Sequence, residues 1–92
     1  MTSTPRGTAM NTWYVVNYVA PDGWFPPTRG NPLFYQWSSF DSVPRDAIQN
    51  PGDTAEKVFK NAASAKGSAT KARKLRLLAV VSELNITRGM RL

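Results

Sequence analysis

Apolar and β-branched residues are densest in Trp13-Tyr14-Val15-Val16-Asn17-Tyr18-Val19. Strand spacing sends Trp13, Val15, Asn17 and Val19 one way and Tyr14, Val16 and Tyr18 the other. The turn signal Pro21-Asp22-Gly23 ends this strand. A second run of similar composition, Leu33-Phe34-Tyr35-Gln36-Trp37-Ser38-Ser39-Phe40, predicts a second strand. Between the two, Ala20 to Pro32 holds four prolines and two glycines, so the pair is expected to form a hairpin with a long ordered loop.

Asp41 to Gly52 is a connector bounded by Pro44 and Pro51, with a helical turn conceivable at Arg45–Gln49. Asp53-Thr54-Ala55-Glu56 then has the spacing of a helix-capping box, with Asp in place of the usual Ser or Thr. Ala55, Val58, Phe59, Ala62 and Ala65 follow at helical spacing, and Gly67 is a plausible stop. A helix over 53–67 is therefore expected, with Phe59 as its one large apolar anchor. The segment Lys74 to Leu84 fits a strand or a second helix. Its run Leu77-Leu78-Ala79-Val80-Val81 offers a helix no single apolar stripe, and so favours a strand buried on both faces. The expected fold is α+β: a small single domain over residues 12–86, ββαβ-like, with one helix packed on a three-stranded sheet. Residues 1–11 and 87–92 have little to bury and are expected to be a disordered tail and a loose C-terminal tail.

Composition then narrows the chemistry. The 92 residues include no His and no Cys. The commonest general base, the commonest metal ligand, thiol nucleophiles and disulfides are all removed at once. The six acids form no acid–base pair, and no glycine-rich phosphate loop is present. A Ser–Lys dyad from Ser64 or Ser68 has only spacing behind it. The expectation is a non-enzyme with no catalytic residues, no metal and no cofactor. The longest apolar run is far too short for a membrane span, and no secretory leader is visible, so a cytoplasmic protein without membrane contact is expected.

Charge gives the strongest functional signal. The net charge is +6, and all five lysines lie after position 56, whereas nine of the ten aromatics lie between Trp13 and Phe40. Seven cations, Lys57, Lys60, Lys66, Lys71, Arg73, Lys74 and Arg76, occur with no acid among them. Cations beside exposed amides and hydroxyls bind phosphates, so this basic face (57–76) is the candidate nucleic-acid site. Solvated lysine on a helix surface accounts for the same pattern. Sheet aromatics such as Tyr14, Tyr18, Tyr35 and Trp37 could stack bases, although strand-spaced rings more often build a core.

Trp24 and Phe25, with Arg29 nearby, lie in the Pro-rich loop and form the candidate partner-binding site. Such rings either fold back as a lid or form a protein-binding hot spot. The leading expectation is a binding module for nucleic acid. The alternative is a protein-binding module or inhibitor, such as a viral or mobile-element accessory protein, docking on an acidic or nucleic-acid-handling host protein. Open sheet edges could also be covered in a homodimer.

Overall fold

The structure is a computed structural model that describes residues 10–43 and 45–87. Strand β1 (Met10–Val19) is the middle strand of the sheet, and its β-branched and aromatic residues fit that position. It pairs antiparallel with β2 (Thr54–Phe59) on one side and β3 (Leu78–Thr87) on the other. The order across the sheet is β2-β1-β3. Helix α2 (Ala62–Lys74) connects the two outer strands and packs on one face of the sheet. A short helix α1 (Phe34–Ser38) and a 3-10 turn (Arg45–Ala47) lie in the long connection from β1 to β2. The domain is thus α+β, with a three-stranded antiparallel sheet and one main helix, as the sequence predicts.

The second strand is not where the pattern suggested. Residues 33–40 hold a helical turn, because the side chains turned to the core are Leu33, Trp37 and Phe40. Offsets of four and three are helical spacing. The side-chain carbonyl of Asn31 accepts from the Leu33 N–H (2.8 Å), and this Asx-type turn starts the helix. The strand that pairs with β1 is β2, inside the segment expected to be helical.

Asp53 does not cap a helix. Its carboxylate accepts from the N–H groups of Gln49 (3.0 Å) and Asn50 (2.9 Å) and closes the turn that leads into β2. Gly52, at φ 89°, supplies the left-handed residue of this corner. Backbone bonds Gly52 N–H to Ala20 carbonyl (2.8 Å) and Ala20 N–H to Asp53 carbonyl (2.9 Å) carry the chain into register with β1. The helix begins eight residues further on, at Asn61, whose side-chain oxygen accepts from Ala63 (2.7 Å) and Ser64 (3.2 Å). Phe59 is accordingly a strand residue, packed against the core from β2.

The segment 74–84 divides in the same manner. Lys74 ends α2, Leu75 to Leu77 turn the chain, and β3 starts at Leu78. It is a strand, but not one buried on both faces. Leu77 and Ala79 are buried on the helix side, while Leu78 and Val80 face outward and are exposed. The strand β1 starts at Met10, two residues before the expected domain edge, and is paired there with Thr87. Residues 1–9 and 88–92 lie outside the described residues.

Alanine sets the geometry of the core. The buried positions of α2 are Ala65, Ser68, Ala69 and Ala72. With no long side chain in the way, the helix backbone settles close over Val16 and Tyr18 of β1. The Tyr18 hydroxyl hydrogen-bonds Ser68 Oγ, which also bonds Ser42 Oγ (2.9 Å). The buried phenol thus has a partner. Burial pushes its pKa up, and the Ser68 bond opposes that shift. The bulk that α2 lacks comes from the long connection: Trp24, Trp37, Phe40, Val43 and Ile48 are all buried.

The Asp53 corner makes stability pH-dependent. The two backbone N–H groups hold its carboxyl below the ordinary aspartate range. A depressed folded pKa contributes stability above the unfolded value, and that contribution is lost as pH falls through the folded one. Thermal melts across this acid range should therefore show the gap between the parent and Asp53→Asn closing on acidification. A gap independent of pH would refute the role given to this carboxylate.

Candidate nucleic-acid interface

The exposed arc of α2 carries Lys66, Lys71, Arg73 and Lys74, because the buried positions 65, 68, 69 and 72 fill the opposite arc. Arg73 and Lys66 fall on the flank towards β3, where Arg73 Nη2 donates to the Ala79 carbonyl (2.8 Å). Lys71 and Lys74 fall on the flank towards α1. Three cations sit in the last turn, where the partial negative charge of the helix C-terminus favours them. Among the described residues the one ion pair joins Arg45 and Asp41 (3.8 Å), and none of these cations takes part.

The helix ends in a Schellman motif. Leu77 N–H bonds the Ala72 carbonyl (3.0 Å) and Arg76 N–H bonds the Arg73 carbonyl (3.0 Å). The residue in the left-handed position of that motif is ordinarily glycine. Here it is Arg76, at φ 69°, the one non-glycine residue with positive φ among those described. A Cβ in this region is unfavourable, so Arg76 holds its place at a conformational cost.

The long loop meets this helix end. The Trp24 indole N–H donates to the Leu75 carbonyl (2.8 Å), and its ring packs edge-on to Trp37 at 5.5 Å and 70°. Trp24 is a buried lid on the core, whereas its neighbour Phe25 is 63% exposed. Tyr35, on α1, is 76% exposed. Two adjoining clefts result. One, of about 330 Å³, lies between α1 and α2 and is lined by Tyr35, Gln36, Lys71 and Lys74. The other, of about 620 Å³, lies under the loop and is lined by Phe25, Pro27, Asn31, Lys74 and Arg76. Leu33, Lys74 and Leu75 line both clefts, and no Asp or Glu lines either.

The seven candidate cations therefore do not share one face. Lys71, Lys74 and Arg76 converge on the clefts. Lys66 and Arg73 flank them towards β3. Lys57 is paired with Val16 on the helix side of β2, and Lys60 lies over the Trp13 ring at 5.2 Å. Of the three loop candidates, Phe25 joins the clefts with its ring exposed. Trp24 is a buried lining residue of the cleft under the loop, and Arg29 is exposed in the Thr28–Asn31 turn without lining either. Tyr18 and Trp37 are buried and unavailable for stacking, while Tyr35 is open. Gln36 and Asn31 are lining residues with no individual signal in the sequence. A helical reading of 33–40 would have turned Tyr35 and Gln36 outward together.

Comparison with family models, with curated proteins and with solved structures finds no match to this chain. Among the described residues, no helix is long and apolar enough to cross a membrane.

Two stability outcomes follow from this geometry. Arg76→Gly should stabilise the domain by about 0.5–1 kcal/mol in urea denaturation, because it relieves the left-handed strain and keeps the Schellman bonds. No gain, or a loss, would mean that the Arg76 side chain holds the turn together. Trp24→Ala should cost about 3–5 kcal/mol, while Phe25→Ala should change stability by less than about 0.5 kcal/mol. Equal losses at the two positions would place Phe25 in the core.

Proposed function

We propose that the protein is a non-enzymatic binding module whose helix-end face takes single-stranded nucleic acid. Exposed rings at Phe25 and Tyr35 stand on either side of Lys74, with Lys71 and Arg76 beside them and no acid in the lining; this arrangement carries the reading. Unpaired bases stack on open rings, and each such stack is worth about 1–3 kcal/mol. Cations between the rings neutralise the phosphates that link those bases. A duplex hides its base faces and can use only the cations, so single strands are preferred. Lys66 and Arg73 face the β3 flank of α2, away from the two clefts, and are not among the three contacts. Lys57 and Lys60 lie on other parts of the sheet and are not among them either.

A second reading has its own observation. Phe25 is exposed in a loop beside Pro26 and Pro27, with Arg29 nearby, and a ring on a proline-braced loop suits a protein partner with an acidic surface. The two readings separate on free nucleic acid.

Anisotropy of a labelled oligonucleotide, single-stranded and duplex, at several salt concentrations tests the proposal. Three phosphate contacts on a single strand give a slope of log affinity against log salt near −2, from about 0.7 per contact. Lys74→Gln should make that slope shallower by about 0.7 for every sequence. Phe25→Ala with Tyr35→Ala should cut single-strand affinity by tenfold or more, as expected for lost stacking of about 1–3 kcal/mol per base, and leave the slope unchanged. Negligible affinity for both oligonucleotides at low salt would sink the proposal and leave the acidic-protein reading.

A further inference from the structure

The sheet has a second face, opposite α2, and no described element covers it. Strand alternation places Val58 of β2, Trp13, Val15 and Val19 of β1, and Leu78, Val80 and Leu84 of β3 on that face. Val58 is 44% exposed, Leu78 55%, Val80 61% and Leu84 44%. Apolar side chains grouped on one open sheet face mark an interaction surface.

The charges on this face say what covers it. Across the strands, Val58, Val15 and Ser82 form a central row. One row to one side are Glu56, Asn17 and Val80. One row to the other side are Trp13 and Leu84, with Lys60 held over the Trp13 ring at 5.2 Å. The face thus carries one acid and one cation, both at its β2 edge and on opposite sides of the central row. A two-fold axis that runs across the strands through that row sets Glu56 of each copy against Lys60 of the other. The same operation lays Val80 against Leu84 of the other copy and brings the two Ser82 residues together. No other partner is complementary by construction to both the charges and the apolar rows.

We infer that this open face is a self-association surface, and that two copies pack sheet to sheet about this two-fold. Twisted sheets pack in this way, with strands within about 30° of alignment. The cation-rich helices then lie on opposite outer surfaces, so two chains of charge +6 meet through their least basic side. Pairing through the β3 edge instead would leave the apolar face in water. Residues 1–9, rich in Thr, Ser, Pro, Gly and Arg, contain no apolar stretch to cover it. The surface does not depend on the nucleic-acid reading, and its test uses no oligonucleotide.

A face of three short strands, at about 3.3 Å per residue and about 4.8 Å between strands, has a projected area on the order of 400 Å². That is small for an interface, so the association is concentration-dependent. Sedimentation equilibrium of the full chain from about 10 µM to about 1 mM should show a monomer–dimer equilibrium. Val80→Asp should shift it to monomer. Glu56→Lys, on an exposed strand edge, should weaken it about tenfold or more by setting like charges together, and Glu56→Lys with Lys60→Glu should restore it. Circular dichroism and melting temperature establish that each variant is folded. A parent that stays monomeric throughout overturns the inference, and the face then serves a different partner. A dimer unaffected by Glu56→Lys overturns the proposed two-fold in favour of another arrangement such as edge pairing.

Discussion

The close approach of α2 to the central strand governs this domain. Alanine at 65, 69 and 72 and serine at 68 bring the helix near enough for the Tyr18 hydroxyl to reach Ser68. A buried phenol without that partner would carry a desolvation cost of about 1–3 kcal/mol. The close packing has a consequence for volume. An alanine face buries little apolar surface, so the helix and sheet alone make a poor core. The long connection supplies the rest, with Trp24, Trp37, Phe40, Val43 and Ile48 buried in the same core. That connection is thus as much a part of the core as the regular elements. Its order follows from burial, since it has little secondary structure of its own.

The position of the clefts follows from the same fact. Trp24 must reach the core past the end of α2, and its indole N–H finds a helix-terminal carbonyl at Leu75. This anchors the loop beside the last turn, where the helix already favours cations. The neighbouring ring, Phe25, is left outside, and α1 turns Tyr35 outward from the other side. Aromatic and basic residues that are segregated along the chain therefore meet in space at one end of the helix. The two candidate sites read separately from the sequence, the loop rings and the basic run, share a cleft for this reason.

Class and element order were legible in the sequence because β1 is unambiguous and the ββαβ count is correct. The positions of the second strand and the helix were not. At residues 33–40 the composition is that of a strand, but the core-facing set, partly buried Leu33 with buried Trp37 and Phe40, has helical spacing. Composition and period disagreed there, and period decided. At 53–56 the capping-box spacing was a decoy, since an Asp that accepts backbone N–H groups serves a turn before it as readily as a helix after it. The true cap, Asn61, precedes a run of alanine, serine and lysine with few large apolar residues, so the helix has little amphipathic signal. Of the candidate cations, sequence gave their number but not their division between helix end, helix flank and sheet, because a strand rather than a helix carries Lys57.

Arg76 shows how these constraints meet. The turn from α2 into β3 must place Leu77 in the core and start the strand in register with β1, and the Schellman bonds enforce this. The motif requires a left-handed residue at 76, and glycine would fill the position at lower conformational cost. An arginine there keeps a permanent positive charge beside the helix C-terminus and at the mouth of the cleft under the loop. Folding alone gives no reason for that choice, since the motif's backbone bonds would form equally well without the side chain. The strained residue thus lies in the lining of the cleft under the loop, where the proposed binding of phosphate would use its guanidinium.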